Sequence, residues 1–213
     1  MYTTTTDSDA IEPRGSTDLR YGDGGYAVDG TALIADLFET VIDAGGRVPT
    51  DPYVGIDHEG YAAHTGTEVF VTPDAVDSVC EALDALESRE EYAAVSLSTS
   101  VSDQTAGEAI DEALTTLRGV DELDETLVDA LAETAAGERA GDEFPDGYDE
   151  AELKSQYDIV VIPGQGSFGD ADHERGRTVR DYAWSLNGWP SDAPDCHRIG
   201  VRIHIDAGAP YFG

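Results

Sequence analysis

Hydrophobic residues recur along this chain with two periods, three-to-four and two, and the switches between them mark out its elements. Leu33, Ile34, Leu37, Phe38, Val41 and Ile42 predict a helix over residues 31–44, capped by Asp29 and ended by Gly45 and Gly46. Residues 47–71 read as a small antiparallel meander. It has a strand at Tyr53, Val54, Gly55 and Ile56, a turn at His58, Glu59 and Gly60, a strand over 61–64, a turn near Gly66, and a strand at Glu68, Val69, Phe70 and Val71. Thr72 and Pro73 pair a capping hydroxyl with Pro at a first helical position, and Val76, Val79, Cys80, Leu83 and Leu86 carry the buried stripe to Glu87. A strand over 94–101 precedes two helices, one from Ser102 or Asp103 to Leu117 and one over 121–134. Ile159, Val160, Val161 and Ile162 form a short apolar strand, and Val179, Tyr182, Ala183 and Leu186 predict a helix over 175–186. The cleanest alternation comes last: Ile199, Val201, Ile203 and Ile205 face one way, Arg198, Arg202 and His204 the other.

This order of elements predicts an α+β fold, a mainly antiparallel sheet packed with about four to five helices; an α/β fold with a partly parallel sheet is the alternative. Residues 1–28 lack periodicity and read as an extended N-terminal arm. Residues 29–135 form the α+β core part, and 136–150 are an acidic, Gly-rich linker. Residues 151–213 are a strand-loop-helix-strand part that completes the same domain or forms a second small one.

Charge changes the picture of the environment. Among 213 residues, 45 acidic side chains stand against 12 basic ones, a formal charge of −33, while 40% of residues are hydrophobic. The chain is therefore a folded protein with an acid-coated surface. In dilute salt such a charge strains the compact state; in molar salt the Debye length shrinks to ~3 Å and the strain fades. The composition resembles that of extremely halophilic archaea and of viruses that replicate in them. The same charge disfavours direct nucleic-acid binding. The first residues carry no signal-peptide pattern and no run reaches membrane-span length, which places the chain in the cytoplasm of a high-salt cell or in a virion assembled there. Cys80 sits on an apolar helix face and Cys196 in a Pro/Asp loop, a spacing that fits neither a zinc site nor a disulfide framework.

Candidate chemistry gathers after residue 158. Pro163 and Gly164 stop the apolar strand, and Gly164, Gly166, Ser167 and Gly169 make a permissive loop able to cradle a phosphate or small molecule. The string from Asp158 to Gly166 resembles the strand and loop of the PfpI/class-I glutamine amidotransferase family, which implies a nearby cysteine nucleophile on a strand-to-helix elbow. The elbow has no counterpart here, since Cys196 lies between Asp195 and His197. Residues 166–173 distantly resemble the phosphate-gripping loop of cytidylyl- and adenylyltransferases, with Gly169 intervening and no second His after Glu174. Asp170, Asp172, His173 and Glu174 are acidic background rather than a metal set, and no His pair has helical i,i+4 spacing. No catalytic residue, cofactor or metal is assigned, and the reading leans away from an enzyme.

The arginines are more informative. Arg175, Arg177, Arg180, Arg198 and Arg202 crowd into the C-terminal part beside Trp189, Tyr211 and Phe212. Arginine with aromatics is the usual composition of a protein interface, because the guanidinium fork pairs bidentately with carboxylates. The expectation is a non-enzymatic structural or assembly subunit of a homo-oligomer or larger complex, for which a virion head–tail connector or tail component fits the size and arm. The alternative is a ligand-binding domain or enzyme using the loop over 164–169.

Overall fold

The computed structural model describes residues 3–11, 14–16, 30–55, 57–59, 62–121, 123, 125, 128, 161–162, 177–178, 186 and 188–206. In chain order the elements are β1 (Thr4–Thr5), β2 (Arg14–Ser16), α1 (Gly30–Asp43), β3 (Val48–Pro49), β4 (Tyr53–Gly55), β5 (Asp57–Glu59) and β6 (Ala62–Val71). There follow α2 (Val76–Glu87), β7 (Val95–Thr105), α3 (Ala106–Arg118), β8 (Val161–Ile162), β9 (Arg177–Thr178) and β10 (His197–Asp206). Helices and antiparallel ladders are mixed, so the fold is α+β.

The chain divides into two compact units: Thr4–Thr105 with Asp195–Gly213, and Ala106–Pro194 with Met1–Thr3. The first is built on a four-stranded sheet of order β5-β6-β10-β7, in which every neighbouring pair is antiparallel. β6 and β7 therefore run parallel to each other, joined through α2, with the last described strand inserted between them. This is a split β-α-β arrangement. Ile199, Val201, Ile203 and Ile205 of β10 share one core with Val69 and Val71 of β6, Val95 of β7, Leu33, Ile34, Leu37, Phe38 and Val41 of α1, and Val79, Leu83 and Leu86 of α2. Full burial of such side chains contributes about 1.5–3 kcal/mol each, which is why the isoleucine row fixes the register of β10.

α1 ends as its glycines require. Gly45 takes φ +90°, a left-handed conformation that disfavours side chains. Its N–H bonds the Ile42 carbonyl at 3.0 Å and the Gly46 N–H bonds the Val41 carbonyl at 2.8 Å, a Schellman closure. α1 is pinned to the turn after α2 by one carboxylate: Asp36 accepts from Arg89 Nη1 at 2.7 Å and from the Tyr92 hydroxyl at 2.8 Å.

Two short stretches of residues 1–28 are paired as strands. β1 lies antiparallel on β3, with Arg47 Nε donating to Thr4 Oγ1 at 2.7 Å, and β2 lies parallel to β4.

In the second unit α3 follows β7 without a break, and the Gly107 N–H donates to the Pro194 carbonyl at 2.8 Å. β8 and β9 form a short antiparallel ladder. Ala113, Leu117, Leu123, Val128, Leu186, Trp189 and Ala193 are buried.

Several expectations are corrected. The described residues hold three helices longer than a 3-10 turn, not four to five. Arg177 and Thr178, expected at the start of a helix, form β9, because their backbone pairs with Ile162 and Val161. No turn occurs at Gly66: β6 runs through it, since an unbroken ladder with β10 outweighs the turn tendency of one glycine. Asp57, His58 and Glu59 form β5 rather than a turn. α2 starts at Val76 rather than at Pro73; Ala75 N–H closes a turn on the Thr72 carbonyl at 2.9 Å instead. β7 extends to Thr105, so α3 begins three or four residues later than Ser102 or Asp103 would place it. The remainder of the helices expected over 121–134 and 175–186, and the linker over 136–150, lie outside the described residues apart from single positions.

Two outcomes follow from this architecture. Burial first, then the hydrogen bond to Asp36, pushes the Tyr92 phenol up to about 12 from its ordinary 10. A raised folded-state value means that the stability from protonated Tyr92 is fully present below pH 10 and is lost as pH rises through about 12. Denaturant unfolding of wild type should lose stability across that window, and Tyr92→Phe should remove that component of the loss. Second, Thr105 and His197 are directly paired although the whole stretch from Ala106 to Pro194 separates them in sequence. That stretch is an insertion into a β-hairpin. A chain in which residues 106–196 are replaced by Asn-Gly, a tight-turn dipeptide, should still unfold cooperatively with a strand-rich circular dichroism spectrum.

Candidate functional site

The face of the four-stranded sheet opposite the shared core is built by the even-numbered positions of β6, β10 and β7. Its register places Arg198 beside Phe70, Gly200 between Glu68 and Ser100, Arg202 between Gly66 and Ser98, and His204 beside Ser96. Period-two alternation is what sends these residues to one face, and the isoleucine row on the other face decides which.

Exposure rises along this face. Phe70 is fully buried; Glu68, Arg198 and Gly200 are half-buried; Gly66, Ser96, Ser98, Ser100, Arg202 and His204 are exposed. Arg198 Nη1 pairs with Glu68 Oε1 at 3.1 Å. The Arg202 guanidinium has no carboxylate or hydrogen-bond partner among the described residues. The small side chains around it leave a shallow, open depression of about 590 Å³ lined by Gly66, Ser96, Ser98, Arg202 and His204, with Thr65, Leu97 and Ile203 contributing at its base. A guanidinium beside serine hydroxyls, in a trough open to solvent, can receive a planar carboxylate bidentately.

β7 forms an outer edge of the sheet. The Leu97 N–H donates to Glu87 Oε2 at 3.0 Å, so Leu97 directs its backbone groups away from β10. By alternation Thr99 and Val101 do the same. Both are exposed, and Val101, at 43%, is the one exposed large hydrophobic side chain among the described residues. Beyond them a bulge displaces residues 102–104 from β10, and the Ser102 carbonyl lies 3.0 Å from His197 Nδ1.

Neither cysteine is in a disulfide. Burial foremost, then the carboxylates of Asp84 and Asp77, pushes the Cys80 thiol up, which keeps it protonated and unreactive. Asp74, held low chiefly by a hydrogen bond from Thr72, only stabilises the turn before α2. Among the described residues no three His, Cys, Asp or Glu side chains gather into a metal-holding group, and no helix is long and apolar enough to cross a membrane.

Of the expected interface residues, Arg198 and Arg202 share the sheet face, and only Arg202 lacks a carboxylate among the described residues. Trp189 is buried at 5% exposure. Arg177 lies in β9. Arg175, Arg180, Tyr211, Phe212 and the loop glycines Gly164, Gly166 and Gly169 with Ser167 lie outside the described residues. Sequence reading missed Gly66, Ser96, Ser98 and the edge at Thr99 and Val101. A signal was present: serines at 96, 98, 100 and 102 alternate with Leu97, Thr99 and Val101, which assigns one row to each face.

Comparison with protein-family models, curated proteins and solved structures finds no match to this chain.

The contrast between the two arginines is measurable. Arg202→Gln should leave the unfolding free energy within about 0.5 kcal/mol of wild type, as expected for a surface position without a partner. Arg198→Gln breaks a partly exposed pair and should cost less than about 1 kcal/mol, an effect that shrinks in concentrated salt. Chemical denaturation at two KCl concentrations checks both.

Proposed function

We propose that this chain is a non-enzymatic structural or assembly subunit working in concentrated salt, and that its open sheet face docks an acidic surface of another protein subunit. One observation carries the reading: Arg202, exposed and without a carboxylate among the described residues, in a chain with 45 acidic and 12 basic residues. Other arginines in the described core are committed, Arg89 to Asp36 and Arg198 to Glu68. With carboxylates so abundant, a guanidinium held clear of them among glycine and serine is an opening for a carboxylate from outside. Its trough is shallow and open, which suits a protein surface better than an enclosed small molecule.

The acid coat supports the environmental half of the reading, an extremely halophilic archaeon or its virus, because screening in molar salt relieves the self-repulsion that a charge of −33 imposes. Within that setting a head–tail connector or tail component of a virion is the assembly we favour, on the size of the chain and its interface-like arginine and aromatic content.

The test is the mass of the purified chain in molar KCl, by light scattering behind a sizing column. Wild type should run as a defined multiple of the chain mass, and Arg202→Glu, which places acid against acid, should run at a lower one. A wild type that stays monomeric at all protein concentrations would count against self-assembly through this face.

A further inference from the structure

We infer that the outer edge of β7 pairs with the same edge of a second copy, antiparallel about a two-fold axis through Ser100, joining two four-stranded sheets into one. This rests on the reading of the chain as an assembly subunit, names its partner as itself, and uses a surface distinct from the trough around Arg202.

The free edge is short and sharply bounded. Glu87 occupies the Leu97 N–H on one side. The bulge over residues 102–104 ends regular pairing with β10 on the other. Between them Thr99 and Val101 turn their N–H and C=O groups outward, and nothing among the described residues pairs with β7 on that side. A strand edge of this kind is a template for another strand. The length available selects the register. Centred on Ser100, Thr99 of each copy meets Val101 of the other, and the two pairs exchange about four hydrogen bonds without displacing Glu87.

Charge selects the occupant. Residues 95–102, Val-Ser-Leu-Ser-Thr-Ser-Val-Ser, carry no ionisable side chain in a chain of net charge −33. A second copy brings an equally neutral strand, and a two-fold contact of one strand with itself is self-complementary by construction. Val101, the exposed large hydrophobe, then packs beside Thr99 of the other copy, on the face of the sheet that carries the isoleucine row. The same register brings Asp103 of one copy toward Glu87 of the other, so pairing strengthens with salt.

Ser100 faces its counterpart as a non-hydrogen-bonded pair, where Cα atoms lie ~4.5 Å apart, close enough for a disulfide. The experiment uses the full chain with Cys80→Ala and Cys196→Ala, oxidised in molar KCl. Ser100→Cys should give a covalent dimer in most of the protein, and should still do so with Arg202→Glu added. Ser96→Cys, on the same face but off the axis, should not. Val101→Lys should abolish cross-linking at Ser100 while leaving the circular dichroism spectrum unchanged. Multimeric wild type whose Ser100→Cys form fails to cross-link, or cross-links no better than Ser96→Cys, overturns the edge pairing and leaves the assembly reading standing. A strictly monomeric wild type overturns both. Cross-linking at Ser100 with no response of the mass to Arg202→Glu upholds the edge and overturns the trough as a docking site.

Discussion

The insertion of β10 between β6 and β7 is the constraint on which the rest of the first unit depends. β6 and β7 are linked through α2 but do not touch as strands, so β6 has only the short β5 beside it, and β7 no strand of the sheet, until the last described strand arrives. When it does, one row of isoleucine and valine side chains is buried beneath α1 and α2, and both ladders close together. The strand that completes the sheet thus comes from far along the chain. Pairings of such long sequence separation slow folding more than they weaken the folded state, since loop-closure cost grows only logarithmically with loop length. The direct pairing of Thr105 with His197 shows how the long excursion is tolerated: the chain leaves and re-enters the sheet at adjacent points.

Local pattern made the helices and β10 legible. α1 begins and ends within one residue of its periodic stretch, because Gly45 and Gly46 supply a stop that no neighbouring element contests. β10 matches its alternation for the same reason, that one face is wholly buried. Where the reading failed, a partner far away in sequence overrode a local preference. Gly66 is a reasonable turn residue in isolation, but paired with Arg202 it becomes the gap that leaves the guanidinium uncovered. Thr72 and Pro73 form a sound capping signal, yet they close a turn ahead of α2 instead. Strand order was not legible at all, since nothing in β6 or β7 states that a third strand belongs between them. The candidate site inherits that limit. Arg202 was visible as a polar-face residue, whereas its neighbours Ser96, Ser98 and Gly66 became neighbours only through the two ladders.

Charge then sorts the two open surfaces. A chain so rich in carboxylates satisfies its arginines internally where it can, as Asp36 does for Arg89 and Glu68 for Arg198. What the fold leaves uncommitted is consequently informative in a way that a carboxylate on this surface is not. Among the described residues Arg202 is one such group and the neutral stretch of β7 is another. They lie on different aspects of the same sheet, the first on its face and the second along its rim.

Open edges are ordinarily guarded by lysine, proline or inward charge. β7 has none of these between Val95 and Ser102, and the single lysine of the chain, Lys154, is elsewhere in the sequence. Its protection is of another kind. Glu87 closes one backbone donor at the near end, and the net charge of −33 keeps copies apart at long range when salt is dilute. Raising the ionic strength removes the long-range barrier and leaves the short-range hydrogen-bonding groups untouched, because they are neutral. On our proposal, an edge defended at long range by bulk charge is closed in dilute solution and open in brine. A lysine guard would act at contact distance and hold in both. The acid coat and the unguarded strand are in this sense one device: the first sets the salt at which the second becomes available.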